Sequence, residues 1–166
     1  MTGYRYVPTA FKRTSEPTRP DAHYWLRPND VLITRSNTPE LVGHAAIYNG
    51  NPSPCIFSDL MMRLEIDPDR VHPNFLLYLL QSRESREHIE KHAKGTSPTM
   101  KKISQATVEA IPFPSDLSLS EQLRVVTQLD AHQPKVDTLR ALQSETAAEL
   151  DAFLPSVLAK AFADEL

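Results

Sequence analysis

At 166 residues, the chain is long enough for one domain with its own core, or for a small domain plus an extension. Apolar residues make up 40% and charged residues 23%, ordinary globular values that exclude wholesale disorder. A net charge of −3 does not advertise a polyanion partner, and a single cysteine, Cys55, excludes an intramolecular disulfide or a cysteine-rich zinc site.

Residues 1–29 are rich in Pro, Arg and Thr, show little periodicity, and end in the turn-like Arg27-Pro28-Asn29-Asp30. Strand patterns follow at VLITRS (31–36), HAAIYNG (44–50), CIFS (55–58) and LMMRLEI (60–66), with Asn49-Gly50 and Asn51-Pro52 as turn markers between them. After Asp67-Pro68-Asp69 the period changes. Pro73 suits a helix start, where a missing N–H costs little. Residues 74–93 place Phe75, Leu76, Leu79 and Leu80 on one face, predicting one helix that Gly95 ends. KGTSPTMKKIS (94–104) reads as a polar loop, and 103–113 as a helical turn followed by a strand closed by Pro112 and Pro114. Ser120 before Glu121-Gln122 signals the N-cap of a last helix, which Pro134 is expected to interrupt or kink. Beyond it Leu139, Leu142, Thr146, Leu150, Phe153 and Val157 recur at three- and four-residue steps. A helix with one apolar stripe and an acidic exterior calls for a partner helix.

The charge is unevenly spread. Residues 1–116 carry 14 Lys+Arg against 13 Asp+Glu, while residues 117–166 carry 4 against 8. Lys91, Lys94, Lys101 and Lys102 follow one another with His92 and no carboxylate among them. Distribution matters more than the sum for a polyanion, so nucleic acid stays open. No apolar run approaches the roughly 18–20 residues of a membrane span, and the N-terminus lacks the apolar segment of a signal peptide. A soluble cytoplasmic protein with no membrane partner is expected.

Catalytic patterns are weak. His88 and His92 share a helix face, as a zinc pair would. Glu90, however, is turned roughly 200° from His88, unlike the glutamate that directly follows the first histidine in metalloproteases. A solvated helix end accounts for the pair. Four glycines in the whole chain leave no phosphate-cradling loop, and no nucleophile elbow is present. Asp59, Glu65, Asp67 and Asp69 lie close in sequence, but Asp67 and Asp69 flank Pro68, where acidic residues shape turns. No catalytic residue, metal or cofactor is expected.

Two polar segments remain: Arg35-Ser36-Asn37-Thr38 after the first strand, and the loop holding Lys94, Thr96, Ser97, Lys101 and Lys102. Arginine and asparagine fork onto base edges, hydroxyls bind phosphate, and lysines supply salt-sensitive affinity. Equally, Asn37 and Thr38 suit a turn, and exposed lysines are often simply solvated.

NDVLITRSNTPELVGHAAIY (29–48) resembles the TRSNT-containing segment of target recognition domains in type I restriction–modification specificity subunits. GTSPTMKKISQATVEAIPFPSDLSLSEQLRVVTQLD (95–130) is similar to the passage that leads from such a domain into its long helix. LPSVLAKAFADEL (154–166) is similar to the family's closing segment, with Ala163-Asp164-Glu165 where a glycine is usual. The resemblance implies an α/β (α+β) target recognition domain, residues 1–116, which starts N-terminally incomplete. A coiled-coil-type helical arm, residues 117–166, follows it. It also implies double-stranded DNA as ligand, read through the two polar segments. The implied protein partners are a methyltransferase (modification) subunit, a restriction subunit, and a second recognition domain or second copy paired through Leu139, Leu142, Leu150, Phe153 and Val157. Such a subunit carries no catalytic residues. Two other origins stay open: the recognition part of a fused restriction–methyltransferase enzyme, and a remnant that only pairs through its helix.

Overall fold

The computed structural model describes residues 6–15, 18–95, 97 and 99–162. The chain divides into two compact units, with the boundary between Arg124 and Val125. At the centre of the first is a three-stranded antiparallel sheet. β1 (Val31–Thr34) is its middle strand, flanked by β3 (Ala45–Ile47) and β4 (Met61–Leu64). The register sets Leu32 opposite Ala46 on one side and Arg63 on the other. All four β1 residues are buried, which is why this stretch reads as a continuous apolar run rather than an alternation.

The strand predicted over 31–36 is in fact two. Beyond Thr34 the chain turns at Arg35, and the amides of Arg35 and Ser36 both donate to the Leu60 carbonyl (2.8 and 3.2 Å). β2 (Ser36–Asn37) then leaves the first sheet and pairs with β5 (Lys101–Lys102) in a separate two-stranded ladder. The CIFS strand reduces to a single bridge between Trp25 and Ile56.

The helix expected over 74–93 is broken into α1 (Pro73–Gln81) and α2 (Arg83–His92). Ser82 takes an extended backbone, closes α1 through its N–H to the Leu79 carbonyl, and accepts from the Ser85 amide to cap α2. A serine that satisfies two helix ends at once needs neither glycine nor proline to mark the break. Phe75 and Leu80 of α1 and Ile89 of α2 are buried. The core gathers Ile33, Val42, Ala45, Leu80, Ile89, Ile103 and Ile111, with Met62, Leu76, Leu77 and Val108 packed against it. Gly43 allows the 38–43 loop to press on this core. Its φ is +75°, and a Cβ there would lie 2.7 Å from Cγ2 of Ile89.

α2 ends at His92, with Ala93 rather than Gly95 as its C-cap. α3 (Gln105–Glu109) is capped by the Ser104 hydroxyl, which accepts from the Thr107 amide. The strand expected just after it does not form, because Pro112 and Pro114 remove the amide donors a ladder requires.

α4 (Leu119–Phe162) is 44 residues long. Its cap is Ser118 and not Ser120: Glu121 N donates to the Ser118 hydroxyl, and Ser118 N donates back to the Glu121 carboxylate (2.9 Å). This is a reciprocal capping box. Gln122 is fully buried in the first unit. Its amide nitrogen donates to the carbonyls of Arg70 (2.9 Å) and Leu117 (3.1 Å), and its oxygen accepts from His72 N (2.9 Å). The expected interruption at Pro134 does not occur; one lost amide donor leaves the remaining backbone ladder intact, and Thr138 Oγ1 donates to the Pro134 carbonyl. In the second unit Leu139, Leu142, Leu150 and Phe153 are exposed and Val157 is half-buried. At 100° per residue, these five positions fall within an arc of about 80°.

Candidate nucleic-acid interface

The two polar segments, distant in sequence, are hydrogen-bonded to each other. Ser36 stands opposite Lys102, and Asn37 opposite Lys101. The carbonyl of Arg35 extends the contact by accepting from Ile103 N (2.9 Å). On the other side of β5, Lys94 pairs with Lys102: Lys94 N donates to Lys102 O (2.9 Å), and Lys102 N to Lys94 O (2.7 Å). β5 is therefore held between the RSNT segment and Lys94, two residues past the end of α2.

Gly95 makes that closure possible. A Cβ there would lie 2.3 Å from the carbonyl oxygen of Met100, so only glycine lets the chain double back this tightly. Its role is a close backbone approach, not a helix stop.

The ladder separates the predicted contact residues into two groups. Arg35, Lys94 and Lys102 are exposed, and their charged ends make no hydrogen bond or ion pair among the described residues. Lys94 and Lys102 oppose each other directly, an arrangement in which like charges repel. Lys101 is half-buried and donates from Nζ to the Gly95 carbonyl (3.2 Å). Ser97 is exposed, and its hydroxyl shares a hydrogen bond with that of Thr99. Thr96 lies outside the described residues.

The other group is occupied in shaping the turn. Ser36 is buried and its hydroxyl donates to the sulfur of Met100 (3.2 Å). Asn37 Oδ1 accepts from Thr38 N, and the Thr38 carbonyl accepts from the amides of Leu41 and Val42. Thr34 secures the far end of the loop, donating from its hydroxyl to Leu41 O and accepting from His44 N. From α2, Arg86 donates to the Val42 carbonyl (2.8 Å). Sequence reasoning overlooked Thr34 and Arg86, whose part is visible only in three dimensions. Burial, and secondarily the Arg86 charge, hold the His44 imidazole below its ordinary pKa, so it adds no cation here at neutral pH.

The weaker candidates have structural employment. The ring of His88 hydrogen-bonds the Thr107 carbonyl through Nε2, and His92 bonds the His88 carbonyl through Nδ1. Asp67 accepts from Asp69 N, the turn role expected of it. Among the described residues no helix is long and apolar enough to cross a membrane.

An α/β unit that carries an exposed cationic ladder, together with a long helix, is the setting in which the sequence relationships fall. The chain is similar to the specificity subunits of type I restriction enzymes, as its TRSNT-containing and helix-entry segments suggested. It is 27% identical over 144 residues to the StySPI specificity subunit of Salmonella potsdam, an alignment covering 86% of this chain. Identity is 25% over 118 residues with the putative MjaX specificity subunit of Methanocaldococcus jannaschii, 71% of this chain. With the EcoEI specificity subunit of Escherichia coli it is 22% over 132 residues, 79% of this chain. The alignments take in 31%, 27% and 22% of those relatives' own lengths, so the chain spans less than a third of each. No family model matches the sequence.

Proposed function

We propose that this chain acts as a non-catalytic specificity component of a type I restriction–modification system. Residues 1–116 bind duplex DNA, and residues 117–166 pair with a second helix, in another recognition domain or a second copy. Through that assembly the chain directs methyltransferase and restriction subunits to a target site. The observation that carries the reading is the β2–β5 ladder, which joins the two segments singled out for DNA contact and leaves Arg35, Lys94 and Lys102 free. Two directly opposed lysines are relieved by a bound anion, and a phosphate backbone supplies a row of them. In this scheme Arg35, Lys94, Thr96, Ser97, Lys101 and Lys102 meet the DNA. Ser36, Asn37 and Thr38 hold the loop that presents Arg35. The narrow apolar stripe on α4 has the width of a two-helix seam.

The test is co-purification with a candidate type I modification subunit, followed by DNA methylation assayed for dependence on the chain. Site-specific methylation that requires this chain, and fails with Arg35→Ala plus Lys102→Ala, is the expected result. Absence of a complex with the modification subunit sinks the proposal. Dimerisation without any salt-dependent DNA binding assigns the chain to helix pairing alone.

A further inference from the structure

Two residues with exposed apolar side chains are bonded to the cationic ladder, Leu60 through its backbone and Met100 through its side chain. Between residues 6 and 118 the large hydrophobic side chains more than a third exposed are Phe11, Leu60 and Met100, at 50%, 48% and 42%. Two of the three are hydrogen-bonded to the same dipeptide. Leu60 receives the amides of Arg35 and Ser36 on its carbonyl, and Met100 receives the Ser36 hydroxyl on its sulfur. Isolated exposed hydrophobics need no explanation, but a pair set against three free cations marks a surface with both an apolar and an anionic counterpart.

Duplex DNA offers that combination in the major groove, where phosphates flank the C5-methyl group of thymine. Met100 is the better placed of the two to read it. Methionine is ordinarily the most adaptable apolar side chain, with three rotatable bonds. Here its sulfur is tethered at 3.2 Å by a hydroxyl that is itself buried, so the terminal methyl is held near one place instead of sweeping the surface. Met100 also immediately precedes Lys101 and Lys102, so a phosphate contact from β5 brings the thioether to the groove edge beside it.

We infer that Met100 is a specificity-determining residue that packs on a thymine methyl group in the major groove. The inference rests on the DNA-binding reading given above and adds to it a base preference. Loss of one contacted methyl weakens binding by at most about fourfold.

The test uses the full chain and two random-sequence duplex libraries, one containing thymine and the other uracil at every such position, which removes only the C5-methyl groups. Wild type is expected to bind the thymine library more tightly, by at most about fourfold for each contacted methyl. Met100→Ala is expected to bind both libraries equally, and Met100→Leu, which keeps an apolar contact, to retain the preference. Equal binding of both libraries by wild type overturns the inference and leaves DNA binding intact. So does a thymine preference that survives in Met100→Ala, or a Met100→Ala defect of the same size on both libraries. If wild type binds neither library, the DNA-binding reading fails and the inference falls with it. Salt titration on the uracil library keeps the two failures apart, since phosphate contacts persist there without the methyl groups.

Discussion

Replacing Gln122 with leucine strikes the best-satisfied buried polar side chain in the first unit. Three backbone groups depend on it: the carbonyls of Arg70 and Leu117 and the amide of His72. These groups are partly buried, so each one left without a partner costs up to about 1–3 kcal/mol. Leucine returns part of this through burial of its own carbons, for a net loss of about 2–4 kcal/mol. That is a large share of the roughly 5–15 kcal/mol that holds a domain of this size together. Urea unfolding followed by the emission of Trp25, the only tryptophan and a member of the same unit, measures it. Gln122→Glu refines the test. A carboxylate in this position faces two carbonyl oxygens, which favours its protonated form and raises its folded pKa above the usual value of about 4.3. A group with a raised folded pKa contributes stability below its unfolded pKa and loses it as pH rises through the folded value. The Gln122→Glu deficit should therefore shrink on acidification, while that of Gln122→Leu should not. A Gln122→Leu deficit under about 1 kcal/mol refutes the reasoning, since that is no more than an average substitution costs.

Gly43→Ala forces a Cβ against Ile89 at a left-handed backbone and should destabilise the first unit by about 2–4 kcal/mol, read as a lower urea midpoint. Gly95→Ala, with its Cβ driven onto the Met100 carbonyl, should open the Lys94–Lys102 pair. Hydrogen exchange checks this: the amides of Lys94 and Lys102 should lose protection while the β1 amides keep theirs. The hydrogen bonds from Ser118 hold the Glu121 carboxyl below its ordinary pKa. Its contribution to helix capping is accordingly present above the unfolded value and lost as pH falls through the folded one. Ser118→Ala removes the hydroxyl but keeps the backbone amide bond to Glu121, so it should weaken that pH dependence, seen by far-UV circular dichroism.

Much of the fold was legible because local chemistry and tertiary packing agree. Val31 to Ile33 is apolar throughout and, with Thr34, becomes a strand buried along its whole length. Pro73 opens a helix, and the stripe on α4 follows its predicted spacing. The failures share one cause, the replacement of an expected local signal by a partner far along the chain. Ser82 breaks a helix with no glycine or proline, by capping in both directions. Gly95 resembles a helix stop in the sequence, because the Met100 carbonyl that requires it lies across the loop. Of the candidate interface, the residue types were legible, but their division into presenting and supporting roles was not. Nothing in RSNT alone indicates that Ser36 is buried beneath Met100 while Arg35 next to it is exposed.

The position of β5 between Ser36 and Lys94 also governs how this surface can change over evolutionary time. A substitution at Ser36 or Met100 alters the side-chain contact between the two segments, so these positions do not drift independently. Recombination that exchanged one of them alone would separate Ser36 from its Met100 partner. Exchange of the whole stretch from β1 to β5 would carry the matched pair intact. New binding preferences on this scaffold should thus be inherited as a block spanning residues 31–102, and not assembled one loop at a time.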